Sequence, residues 1–288
     1  MLYSEKIETF ERDHPGRTIT VGGASFRYVL SGPEGARTLV FLNGGMNVLE
    51  MWLDYVDALS ADYRVLLFDY PRELTTNQAL VEGVHGFFEK LGVREPIFVG
   101  TSDGGMVAQI YVQKYQDQTG GLILASTGGM DESTLKSLRR KYRLAPLMLW
   151  YLKHCNYEKL KPKLIQMSLS HLRGESQEEI AYARDMFETI FWDYEQAHDV
   201  HISGLLADLM NQTPVTEADF RDLKGKILLI LPDQDFFPPQ MQKDLIRLMQ
   251  DPEITYISGG HLSTVLKPKE YICAIRSFLE PKAPEKTR

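Results

Sequence analysis

The sequence predicts an α/β fold: a mostly parallel sheet of about eight strands, helices on both faces, and one helical insertion. Three observations carry this. Short apolar runs recur along the chain and alternate with segments of helical periodicity. Each run is apolar throughout and does not alternate with polar residues, as strands covered on both faces require. From about Asp131 to Thr213 the runs stop, leaving helical patterns rich in Leu, Met, Tyr and charge.

In order, residues 18–30 read as two strands around the turn Gly22-Gly23, an antiparallel edge to the sheet. Thr38–Leu42 is a buried strand ending on Asn43-Gly44-Gly45-Met46. Val48 to Leu59 fits a helix with Met51, Trp52, Tyr55, Val56 and Leu59 inward. Tyr63–Phe68 is a strand ending on Asp69-Tyr70-Pro71, residues 75–91 fit a helix, and Pro96–Val99 begins another strand. Gly121–Ala125 follows the next helix. After the helical block come strands at Lys226–Leu231 and Ile254–Ile257, with helices near 239–250 and 264–279. Pro281 to Arg288 is a charged tail, expected to fray. The domain reading is a core of 1–130, a helical lid or cap insertion of 131–213, and the rest of the core in 214–288.

The chain has 288 residues, 43% hydrophobic and 25% charged, enough for one large core. Its net charge is −7, which argues against a nucleic-acid surface, since phosphate binding needs a dominant excess of Lys and Arg. Met1 to Phe10 is polar and mixed in charge, unlike a signal peptide. Apolar stretches are too short to span a bilayer, so no membrane partner is expected. Cys155 and Cys273 are isolated, as expected of packed, reduced thiols in a cytoplasmic protein. His154, His171, His198 and His201 form no set with metal-ligand spacing, so no metal is expected. Nothing in the sequence sets an oligomeric state.

The chemistry gathers at strand ends. Ile97-Phe98-Val99 runs into the turn Gly100-Thr101-Ser102-Asp103-Gly104-Gly105, which continues as a helix with Val107, Ile110 and Tyr111 on one side. Glycine two residues either side of Ser102 permits so tight a turn, because a β-carbon there would strike the neighbouring chain. Parallel sheets place ligands at the carboxyl ends of their strands. The later strand ends carry Asp233-Gln234-Asp235 and Gly259-Gly260-His261, so a hydroxyl, a carboxylate and an imidazole fall at three strand ends, in that order.

On these motifs the chain resembles the α/β-hydrolase superfamily over roughly residues 18–127 and 220–280. The elbow around Ser102 resembles the family's nucleophile motif. Leu228 to Pro238 resembles its acid loop, in which the acid precedes a proline by three residues; this favours Asp235 over Asp233. Gly260-His261 resembles its histidine. The resemblance implies a Ser102–His261–Asp235 triad with no cofactor. His261 takes the serine proton and returns it to the leaving group, while Asp235 fixes the imidazole tautomer. It also implies an oxyanion hole from the backbone N–H groups of Asp103 and Gly45, with Met46 the alternative to Gly45.

Two departures matter. Asn43-Gly44 stands where many relatives carry His-Gly, and Asp69-Tyr70-Pro71-Arg72 replaces Asp-x-Arg-Gly, a form weakly resembling the maspardin branch. Haloalkane dehalogenases and epoxide hydrolases use a carboxylate where Ser102 stands, which argues against both. Asp103 can border the pocket, where a carboxylate favours amine-bearing substrates, as in the α-amino acid ester hydrolases whose elbow is similar. Asn43, Met46 and Trp192 are the other pocket candidates, Trp192 among lid aromatics that include Trp150, Tyr151, Phe187, Phe191 and Tyr194. The expected activity is a serine hydrolase, carboxylesterase-like, acting on a small ester or related acyl compound. Perhydrolase chemistry needs the same triad, and a catalytically weak ligand-binding or adaptor protein on the same fold is the alternative.

Overall fold

The computed structural model describes residues 2–170, 172 and 175–280; His171 and the tail from 281 to 288 lie outside the described residues. Eight strands form one sheet: β1 (Arg17–Val21), β2 (Ala24–Ser31), β3 (Thr38–Leu42), β4 (Arg64–Phe68), β5 (Ile97–Thr101), β6 (Gly121–Ala125), β7 (Ile227–Pro232) and β8 (Glu253–Ile257). Their spatial order is β1-β2-β4-β3-β5-β6-β7-β8. The hairpin pairs antiparallel, β2 pairs antiparallel with β4, and every other pairing is parallel. The five residues each of β3, β5 and β6 are buried, which is why these strands read as unbroken apolar runs.

Helices cover both faces. One cluster packs α3 (Asn77–Leu91) and α4 (Asp103–Tyr115) on the sheet through Phe26, Phe68, Phe87, Phe88 and Tyr111, with Phe26 stacked on Phe87 at 4.5 Å. Thr76 Oγ1 accepts from Ala79 N at the start of α3, and Gly92, at φ +67°, ends it in the left-handed conformation. The opposite cluster gathers Phe41, Trp52, Tyr55 and Tyr271. It lies beneath α1 (Tyr3–Asp13), α2 (Leu53–Leu59) and α12 (Pro268–Leu279).

The structure differs from the sequence reading at three elements. The polar N-terminus forms α1, which buries Tyr3 and Phe10. Asp185 accepts from both Ser4 N and Ser4 Oγ, tying α1 to α8 (Gln177–Asp193). The helix expected from Val48 begins as a 3-10 turn over Leu49–Trp52 before α2. The last helix is two, α11 (Ser263–Leu266) and α12, because Pro268 has no N–H to continue the first and suits the start of a second.

Between β6 and β7 lie α5 (Glu132–Lys141), α6 (Ala145–His154), α7 (Tyr157–Ser170), α8 and α9 (Gln196–Leu209). Here α7 packs on α8, α6 on α9, and α9 on α3 of the core. α10 (Pro239–Leu248) follows β7. Both cysteines are free thiols, Cys273 exposed where a packed residue was expected. Among the described residues no helix is long and apolar enough to cross a membrane.

Candidate active site

Ser102 sits between β5 and α4 at φ +51°, ψ −123°, a region that non-glycine residues enter only under constraint. The constraints are visible. Ser102 N donates to the carbonyls of Ala125 and Ser126, and its own carbonyl accepts from Gly105 N and, at 2.6 Å, from Thr127 Oγ1. A β-carbon on Gly104 would lie 2.3 Å from the Leu42 carbonyl oxygen, and one on Gly100 would lie 2.7 Å from that of Gly104. The elbow needs glycine at both places because backbone occupies the space.

The structure brings the three predicted side chains together. Ser102 Oγ lies 3.0 Å from His261 Nε2, and His261 Nδ1 lies 2.9 Å from Asp235 Oδ1. With Nδ1–H donating to the carboxylate, Nε2 is left to accept the serine proton. Phe237 N also donates to Asp235 Oδ1, while Asp233 Oδ1 accepts from Gly259 N. Asp235 therefore faces the imidazole and Asp233 shapes the loop that carries it. Phe236 packs on the His261 ring at a centroid distance of 3.9 Å, with Phe237 edge-on at 5.5 Å. Glu175, ahead of α8, accepts from Gly260 N at 2.9 Å and pairs with Lys267, so the helical block holds the histidine loop from outside.

The loop after β3 is built by Asn43. Its Nδ2 donates to the Phe68 carbonyl at 2.8 Å and its Oδ1 accepts from Trp52 Nε1 at 2.9 Å. Tyr70 OH donates to the Asn43 carbonyl, and Tyr70 N donates to Asn47 Oδ1 at 2.7 Å. Asn43 is thus fully buried behind the loop and does not line the cavity, which corrects its placement as a pocket residue. Among the described residues, no acceptor engages the N–H groups of Gly45, Met46 or Asp103. The Met46 carbonyl accepts from Tyr194 OH and from His198 Nε2. Burial pushes His198 down to about 4, so it makes that bond as a neutral ring.

A cavity of about 290 Å³ opens over Ser102. Gly45, Asp103 and His261 form its polar floor, and Met46, Met51, Met106, Leu138, Tyr142, Phe187, Leu209 and Phe236 its largely apolar walls. Trp192 is not among them. It is 82% exposed, one residue past the inward set Ala183, Met186, Phe187, Ile190 and Phe191 on α8, so Phe187 takes the place expected of it. A larger cleft of about 670 Å³ lies behind the loop, lined by Arg27, Glu50, Asp69 and His198 among others, and does not include Ser102 or His261.

Asp103 is the charged member of the floor. Its carboxylate lies against Gly45, where a β-carbon would be 3.1 Å from Oδ2. No hydrogen-bond donor among the described residues reaches it. Burial raises its pKa to about 6, opposed by the proximity of His261. Among the described residues no group of three or more His, Cys, Asp or Glu could hold a metal ion.

A model of the alpha/beta hydrolase family matches residues 39–274. The chain belongs to that family. A proline iminopeptidase, PfmaB, of Pestalotiopsis fici is 23% identical over 91% of this chain and 98% of its own length. Human monoacylglycerol lipase ABHD6 is 31% identical over 38% of this chain and 36% of its own. Among solved structures, an enol-lactonase from Burkholderia xenovorans superposes with a TM-score of 0.72 at 17% identity, over 91% of this chain and 99% of that one. A Pseudomonas aeruginosa hydrolase gives the same TM-score at 20% identity, over 93% and 99%.

Proposed function

We propose that the protein is a serine hydrolase that cleaves a small carboxylic ester or related acyl compound through an acyl-enzyme. The single observation that carries this is the contiguous path Ser102 Oγ–His261 Nε2 at 3.0 Å and His261 Nδ1–Asp235 at 2.9 Å, opening on an apolar cavity. Ser102 attacks the carbonyl as His261 takes its proton. The imidazolium, held by Asp235, then protonates the leaving group, and water repeats the sequence to release the acid. The oxyanion lies toward the unengaged N–H groups of Asp103 and Gly45, with Met46 N–H next in the loop; a lost donor in a comparable site costs about 2.7–4 kcal/mol. The helices of 131–213 serve as the lid, since α5, α7, α8 and α9 all contribute cavity walls.

A second reading of substrate is favoured by Asp103, a cavity-lining carboxylate without a donor: it receives an ammonium group on the acyl side. One relative, 23% identical, is named a proline iminopeptidase. The test of the enzyme reading is intact mass after a fluorophosphonate. One adduct is expected on the wild type and none on Ser102→Ala, and an unlabelled wild type supports the non-catalytic alternative instead.

A further inference from the structure

The helix α6 is turned inside out. Its inner side, Ala145, Leu149 and Leu152, rests half-buried on α9, while Leu144, Leu147, Met148 and Tyr151 recur at i, i+3, i+4 and i+7 on the outward side. Those four and Trp150 are between 56 and 64% exposed, and no residue of α6 is fully buried. A helix this apolar is ordinarily covered.

Charge identifies what covers it. Residues 136–163 hold nine Lys or Arg and one Glu, a net charge of +8 in a chain whose total is −7. Lys136, Arg140, Lys141, Arg143, Lys153, Lys159 and Lys163 have no carboxylate partner among the described residues. A twofold dimer through this patch would set the same cations against themselves. An apolar, aromatic strip framed by cations matches a helix that lies in the headgroup region of an anionic bilayer: Leu, Met and Trp enter the acyl boundary and the Lys and Arg heads reach phosphate.

We propose that α6 docks the protein on anionic lipid surfaces, lying in the plane of the membrane. Absence of a spanning helix bears only on crossing, not on this mode of contact. The placement puts α6 close to the catalytic cavity. Leu138 on α5, Tyr142 between α5 and α6, and Leu206 and Leu209 on α9 beneath α6 line the cavity over Ser102, so α6 is flanked by elements of the cavity wall.

The test is co-sedimentation of the full chain with vesicles at low salt. Binding is expected to an equal mixture of phosphatidylcholine and phosphatidylglycerol, lost in high salt and absent for phosphatidylcholine alone. Leu147→Glu with Met148→Glu is expected to abolish it at an unchanged Tm. Arg140→Gln, Lys141→Gln and Arg143→Gln should each weaken it about fivefold. In a Trp192→Phe background, Trp150 fluorescence should shift to the blue on binding. The proposal is overturned if the wild type stays with the supernatant over anionic vesicles, or if the double Glu variant binds as well as the wild type. A dimer in sedimentation velocity that the same variant dissolves overturns it equally, assigning the strip to a second copy.

Discussion

Asp103→Asn should make the protein more stable, and only above a definite pH. The carboxylate is held at about 6 by burial, against 3.8 when unperturbed. The folded chain therefore keeps this proton more tightly than the unfolded one. For an acid whose pKa is raised, stability is fullest below the unfolded value and falls as pH climbs through the folded one. The loss between 3.8 and about 6 is on the order of 3 kcal/mol at ~1.36 kcal/mol per pH unit, complete by about pH 7. An amide of the same shape removes that loss without emptying the site. For a chain of this size, about 3 kcal/mol corresponds to a Tm higher by roughly 5–10 °C. The assay is thermal unfolding of both proteins from pH 4 to 7.5, where the gap should open between about 4 and 6 and then stay constant. A gap independent of pH, or a variant less stable at pH 7.5, would refute the reasoning. The same titration sets specificity. If Asp103 receives an ammonium group, the ratio of kcat/KM for an aminoacyl ester over its plain acyl counterpart should rise as pH passes about 6. Asp103→Asn should flatten it.

Two further changes probe the scaffold around the reacting groups. Tyr70→Phe removes the donor to the Asn43 carbonyl, leaves a buried acceptor unpaired at a cost of about 1–3 kcal/mol, and lets the loop after β3 shift. Turnover of a short p-nitrophenyl ester should fall about tenfold or more through kcat, since small displacements of positioned groups are costly, and an unchanged kcat would separate this network from the chemistry. Glu175→Ala frees Gly260 N and should lower kcat, whereas Glu175→Gln retains an acceptor for that N–H and should restore most of it. Equal loss in both variants would assign the effect to the Lys267 pair.

Much of the core was legible because the inner strands β3 to β7 announce themselves as runs of apolar residues, and the groups at their ends follow directly in sequence. Ser102, Asp235 and His261 were found at strand ends, and the structure sets His261 within hydrogen-bond distance of both Ser102 and Asp235. What was not legible depends on side chains arriving from elsewhere. The work of Asn43 is set by Trp52, Asn47, Phe68 and Tyr70, none of which a local pattern connects to it. The same is true of Glu175, which reaches the histidine loop from another part of the chain. Trp192 was misplaced because aromatic character does not give an angle. One residue along a helix is about 100° of rotation, enough to turn it from the wall holding Phe191 out into water. The helix α1 was overlooked because its charges outnumber Tyr3, Ile7 and Phe10, whose spacing alone defines the buried side.

The Met46 carbonyl, gripped by Tyr194 and His198, gives the molecule a mechanical interlock. The same residue lines the cavity, follows Gly45 in the loop after β3 and anchors the junction of α8 with α9. A movement of that junction wide enough to admit a bulky molecule must break both bonds or drag the loop with it. The α8–α9 junction and the loop beside Ser102 are thereby tied as one mechanical unit.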